Sequence, residues 1–186
     1  MLCCAILGCC VAMGLPLGHL IAHVSDLGYS ITHAAMTLSV TQIFGFTSSA
    51  VLVGYFATRY GGATALILFA GVQALALALL TATQDLVLLY AISALFGIGY
   101  GGIFPAYTVI IREYMPASQA GRRAGIVFLF GASAMGLGGW LGGFLYDQTG
   151  SYTAPFLIGV AFNVVNLVIV AALIAKLPPR QTPAFA

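Results

Sequence analysis

Polar positions are scarce along this chain, and they arrive in clusters rather than at regular intervals. Between the clusters lie apolar, glycine-laden runs, each about the 20 residues needed to cross roughly 30 Å of hydrocarbon. This pattern predicts six helices, at 2–22, 34–57, 63–82, 86–111, 124–146 and 154–175. The runs do not alternate apolar and polar residues, which excludes the strands of a closed barrel, the other way to satisfy a backbone in lipid. The fold expected is an all-α membrane bundle of six transmembrane helices, at 1–178, with a short tail at 179–186.

Composition sharpens this picture. The chain is 61% hydrophobic and 5% charged, where a soluble domain carries about 25% charged residues. So few charges cannot clothe a surface facing water, so the lipid bilayer is the expected solvent. A net charge of +2 gives no basis for a nucleic-acid partner. The placement of charge says more than its sum. Arg59, the island Arg112–Arg123, Lys176 and Arg180 take all the basic residues and fall on one side of the predicted bundle. The opposite connectors hold Asp26, Asp85 and Asp147. Basic residues resist transfer across a membrane, so both termini and the tail are expected in the cytoplasm, with the bundle multi-pass in the cell membrane. The island itself reads as a turn at the cytoplasmic surface. Cys3, Cys4, Cys9 and Cys10 all lie in the opening apolar run, without metal-ligand spacing, and read as small packing side chains. No metal or cofactor is expected.

A second regularity is internal. Gly8 and Gly97, Pro16 and Pro105, Gly54 and Gly143, and Gly61 and Gly150 are each 89 residues apart. That period spans three helices, an odd number, so a second copy would enter the membrane from the opposite side. The reading is an inverted repeat of 1–89 on 90–178, an arrangement found in transporter folds. Pairs at spacing four, such as Gly97/Gly101 and Gly138/Gly142, let helix backbones approach closely, and Pro16 and Pro105 are expected to bend their helices.

Together with Gly54-x-x-x-Thr58-Arg59-x-Gly61-Gly62, this architecture resembles the C-terminal half of a major facilitator superfamily transporter. Three stretches resemble its bacterial monocarboxylate-transporter-like and oxalate/formate-antiporter-like branch: Gly18–Gly28, Phe96–Pro105 and Gly138–Tyr152. The resemblance implies a secondary transporter half that moves a small organic, monocarboxylate-like solute by alternating access. It also implies a partner, either a missing N-terminal six-helix half or a second copy, and the chain is expected to be a fragment. Two departures stand out. Thr58 replaces the acid that in the family helps latch the cytoplasmic side, and Gly62 replaces a base. The family's intramembrane cation is also lacking, since 34–57 and 124–146 contain no Lys or Arg.

Ser39, Gln42, Phe46 and Ser49 share one face of the second helix by their spacing. Tyr100, Phe104 and Tyr107 do so on the fourth, and Ser133 and Trp140 lie on the fifth. By resemblance these helices line the solute path, while the third and sixth are peripheral. The substrate-binding candidates are therefore Ser39, Gln42, Tyr100, Tyr107 and Ser133, with His19 from the first helix. His19 and His23 lie near its outer end and read more simply as solvated residues, as His33 reads as a loop residue. Asn163 and Asn166 read as packing residues. Arg59, Arg112, Arg122 and Arg123 are candidates for a cytoplasmic gate or for plain headgroup anchors. Two other functions compete. Gly131-Ala-Ser-Ala134 would suit an intramembrane serine hydrolase only with a histidine within reach of Ser133. A lone half could also be an inactive membrane scaffold.

Overall fold

The computed structural model describes residues 1–176; Arg180 and the expected tail at 179–186 lie outside the described residues. Six helices are long and apolar enough to cross a membrane: α1 (Leu2–Asp26), α2 (Ile31–Tyr60), α3 (Gly62–Ala82), α4 (Leu86–Tyr114), α5 (Ala117–Thr149) and α6 (Thr153–Ile174). Their ends follow local chemistry. The Ser30 hydroxyl accepts from His33 N–H at the start of α2, which places His33 in a helix rather than a loop. Asp85 does the same for Leu88 at the start of α4. Gly61, at φ 89°, turns α2 into α3, and Gly150, at φ 65°, ends α5, conformations that side chains with a Cβ avoid.

The charged island is shorter as a turn than its polarity indicates. Only Met115 and Pro116 leave the helix, and α5 already begins at Ala117. Met115 is extended at φ −129°, ψ 149°, as a residue before proline must be. The alanines, glutamine and arginines that follow are good helix formers, so Arg122 and Arg123 ride on the first two turns of α5. Polarity at headgroup level marks the edge of the membrane, and the helix continues through it.

Two helices are irregular inside the bundle. α2 contains a π-helical turn at Ser48–Leu52, and α4 is interrupted at Gly102. Pro16, by contrast, lies within an unbroken α1.

The core is organised around α1, whose Ala5, Ile6, Cys9, Cys10, Ala12 and Leu15 are fully buried. α1 packs on α5 and α6, α2 on α4, and α3 on both α4 and α6. Gly138 of α5 approaches the Val11 carbonyl, and Gly97 and Gly101 of α4 approach the carbonyls of Thr41 and Gly45. Polar groups buried in lipid must find partners, and those of α3, α4 and α6 find one another. Asn163 donates to Gln73 Oε1 at 3.0 Å and to the Ala70 carbonyl at 3.2 Å. Asn166 donates to Asn163 Oδ1 at 3.3 Å and accepts from the Tyr107 hydroxyl at 3.3 Å. Gln73 reaches the Cys9 carbonyl of α1 at 3.4 Å. This neutral network ties four of the six helices into one body.

Candidate functional site

An open groove of about 550 Å³ lies where α2 and α4 diverge, with Phe128 of α5 closing one side. From α2 come Gly45, Phe46 and Ser49; from α4 come Tyr100, Gly101, Phe104, Pro105, Thr108 and Val109. Both helix irregularities face it, since Ser49 belongs to the π turn and Gly101 and Pro105 flank the interruption. Proline supplies no N–H, so the Gly101 carbonyl lacks its helical donor four residues on. Such breaks in TM helices are tolerated where the freed backbone borders a cavity or finds another partner.

The groove brings together Phe46, Ser49, Tyr100 and Phe104, and it reaches Gln42 through a hydrogen bond from the Tyr100 hydroxyl to Gln42 Oε1. Phe104 and Phe128 meet edge to face, centroids 5.4 Å apart. Thr108 donates to the Phe104 carbonyl at 3.1 Å.

Tyr107 requires a correction. It is 0% exposed and points into the bundle, bonded to Asn166 with Cys9 Sγ at 3.9 Å. In an unbroken helix of 3.6 residues per turn Tyr107 would fall almost beneath Tyr100. The groove residues of α4 instead recur at Tyr100/Gly101, Phe104/Pro105 and Thr108/Val109, a four-residue spacing that runs through Gly102 and leaves Tyr107 on the flank turned to the core.

The remaining candidates lie apart from the groove. Ser39 is exposed and donates to Ala35 of its own helix at 3.1 Å. Ser133, on the exposed side of α5, donates to the Leu129 carbonyl at 2.9 Å, so its proton is engaged by backbone and not by a histidine. Trp140 is 62% exposed and stacks on Phe144 at 5.3 Å. His19 binds the Gly139 carbonyl through Nε2 at 2.7 Å. His23 is buried against Phe156, 5.1 Å between centroids. His19 is half-buried and His23 buried, because the α5–α6 turn folds Tyr152 over both rings, at 5.4 and 5.9 Å. Burial, and then the carboxylates of Asp26 and Asp147, hold the Tyr152 phenol above its ordinary pKa.

At the basic end, Arg59 reaches back to Tyr55 OH at 3.3 Å. Arg123 bonds Gln119 Oε1 through two nitrogens at 2.7 and 3.1 Å, while Arg112 and Arg122 are exposed. The acidic residue of the charged island has a structural partner here. Glu113, at the end of α4, accepts the Gly62 N–H at 3.0 Å and so caps α3, where a carboxylate suits the helix dipole. Thr58 instead donates to Gly54 at 2.7 Å, within its own helix.

A bundle of six apolar helices, with a neutral groove bordered by two irregular helices, fits a membrane transporter. The chain belongs to the Major Facilitator Superfamily, whose family profile matches residues 1–186. It is 31% identical over 150 residues to monocarboxylate transporter 13 of Rattus norvegicus, covering 80% of this chain and 35% of that protein. The Bos taurus protein of the same name is 30% identical over the same coverage. An uncharacterised MFS-type transporter of Pseudomonas aeruginosa is 30% identical over 167 residues, 87% of this chain and 41% of the relative. The chain thus spans well under half the length of these relatives.

Proposed function

We propose that this chain is one six-helix half of a secondary transporter that moves a small organic solute by alternating access, with the α2–α4 groove as its solute-facing wall. The observation that carries this reading is the groove itself, membrane-embedded, lined by uncharged and aromatic side chains and bordered by interrupted helix. Alternating access rocks one bundle against another around a site between them. One wall therefore needs an opposing one, from an N-terminal half or a second copy. The names of the mammalian relatives and the resemblance in sequence point to a monocarboxylate as the solute class.

The inverted repeat belongs to the same proposal. Exchange of α1 with α4, α2 with α5 and α3 with α6 turns the α1–α5 packing into α4–α2, and α1–α6 into α4–α3. Gly14 lies on the Met135 carbonyl as Gly101 lies on that of Gly45. Those contacts relate α1 to α4 by 87 positions and α2 to α5 by 90, which bracket the 89-residue offset.

The test is uptake into proteoliposomes. The chain alone should show no saturable uptake of a radiolabelled panel of small organic acids, alcohols and amines, and co-reconstitution with a matching N-terminal half should create uptake of at least one of them. Saturable uptake by the isolated monomer would refute the two-wall account. The basic end is proposed to face the cytoplasm, so a cysteine placed at Asp85 should label from outside intact cells and one at Ser118 should not; the reverse pattern would invert the topology.

A further inference from the structure

The groove's inventory of donors and acceptors is lopsided. Tyr100 spends its proton on Gln42, and Thr108 spends its proton on the Phe104 carbonyl. Both oxygens keep lone pairs, because a hydroxyl has one donor and two acceptor sites. The Gly101 carbonyl adds a third acceptor, since Pro105 has no N–H to give it. Ser49 can act either way. Around these acceptors stand four aromatic rings, Phe46, Tyr100, Phe104 and Phe128. Phe46 is 72% exposed, and the edge-to-face meeting of Phe104 with Phe128 directs ring edge against ring face. None of the lining residues is basic, and α2 has no Lys or Arg before Arg59.

A carboxylate entering this groove would give up hydration for the Ser49 hydroxyl and the Gln42 amide N–H groups at most, with no cation to replace the water. An ammonium group would meet hydrogen-bond acceptors and the negative faces of aromatic rings. We infer that this groove is built for a monovalent organic cation, a primary ammonium carried on a small apolar or aromatic body, rather than for a carboxylate. The inference rests on the groove being the solute-facing wall, and it departs from the solute class that resemblance implies.

Three probes of one shape separate the possibilities: 2-phenylethylammonium, 2-phenylethanol and phenylacetate. Their equilibrium binding to the full 186-residue chain in lipid nanodiscs is measured by radioligand titration, with empty nanodiscs subtracted. The ammonium should bind about tenfold tighter than phenylacetate, with the alcohol between them. Thr108→Val removes one acceptor and leaves the Tyr100–Gln42 pair intact, and Pro105→Ala returns a donor to the Gly101 carbonyl. Each should weaken ammonium binding by about threefold or more, with helicity by circular dichroism retained. The wild-type comparison decides the matter even if either variant fails to fold. Phenylacetate binding more tightly than the ammonium, and weakened by Thr108→Val, would overturn the cation inference and leave the groove as a solute site. Equal binding of all three would mean only apolar partition and would also overturn it. Binding of none of them would remove both the inference and the reading of the groove as a solute wall.

Discussion

Two helix crossings in this bundle have the same plan and different chemistry. Where α1 crosses α5, glycines bring the helices close: Gly14 on the Met135 carbonyl, Gly138 on the Val11 carbonyl, and Gly131 against the Ile6 and Cys10 side chains, with His19 bonding the Gly139 carbonyl nearer the outer end. Where α4 crosses α2, Gly101 lies on the Gly45 carbonyl and Gly97 on that of Thr41, but hydroxyls join in. Thr41 donates to the Ser93 carbonyl at 3.2 Å, and Ser48 donates to the Ile98 carbonyl at 2.7 Å. Ser48 stands where the other crossing has Gly138. The glycine crossing joins two continuous helices, whereas the hydroxyl crossing joins two irregular ones and borders the groove. Close packing needs only small residues, but a helix that loses backbone hydrogen bonds in lipid needs replacement donors. Ser48 supplies such a donor beside the interruption of α4.

The most severe way to break the comparison is to deny either crossing its close approach. A Cβ on Gly101 would collide with the Gly45 carbonyl, and one on Gly14 with that of Met135. Both partners are backbone and cannot swing aside. Gly101→Val and Gly14→Val should therefore each cost about 3 kcal/mol or more, at the upper end of overpacking effects. Thermal unfolding in detergent would show both variants melting far below wild type. Gly136→Ala, which meets nothing within 4 Å, should melt with the parent. A Gly101→Val protein as stable as Gly136→Ala would show that the helices are not in contact as described.

The difference between the crossings also marks what could be read from sequence. The six apolar runs and the split of Arg59, Arg112 and Arg123 from Asp26, Asp85 and Asp147 are visible because hydrocarbon thickness and charge are coarse constraints. Helix ends were less visible, since residues at headgroup depth can be polar and helical together, as Arg122 is. On α2 spacing put Ser39, Gln42, Phe46 and Ser49 on one face, of which Phe46 and Ser49 line the groove and Ser39 does not. On α4 it failed at Tyr107, because the groove face follows the four-residue spacing of Tyr100, Phe104 and Thr108, and the seven-residue step to Tyr107 leads to the flank that packs inside the bundle. The signal was there in the spacing of Tyr100, Phe104 and Thr108, which share one helix face with Gly101 and Pro105. Phe128 gave no signal, being one apolar residue inside an apolar run. Glu113 was legible as a charge, but its role as the cap of α3 depends on two helices meeting at one end.

A finer substitution tests whether the hydroxyls are structural replacements or only glue. Thr41 and Ser48 both bond carbonyls of α4, yet those carbonyls differ in what else they have. Ser93 lies inside the regular part of α4, where Gly97 supplies its helical N–H. The Thr41 hydroxyl there is an addition, shared with the Thr37 carbonyl at 3.1 Å. Ile98 lies four residues before Gly102, whose N–H is turned to the Tyr100 carbonyl instead. Ser48 thus stands in for the missing helical donor. Thr41→Val should cost about 0.6 kcal/mol, the ordinary worth of an interhelical hydrogen bond in a membrane protein. Ser48→Ala should cost more, about 1–3 kcal/mol, because it leaves a buried carbonyl unpaired. Paired unfolding measurements in one detergent resolve that gap, and amide hydrogen exchange should show added opening near Gly102 only for Ser48→Ala. If Thr41→Val proves as costly as Ser48→Ala, the Ile98 carbonyl has another donor. The two crossings would then differ in decoration alone, and the irregularity of α4 would need a different support.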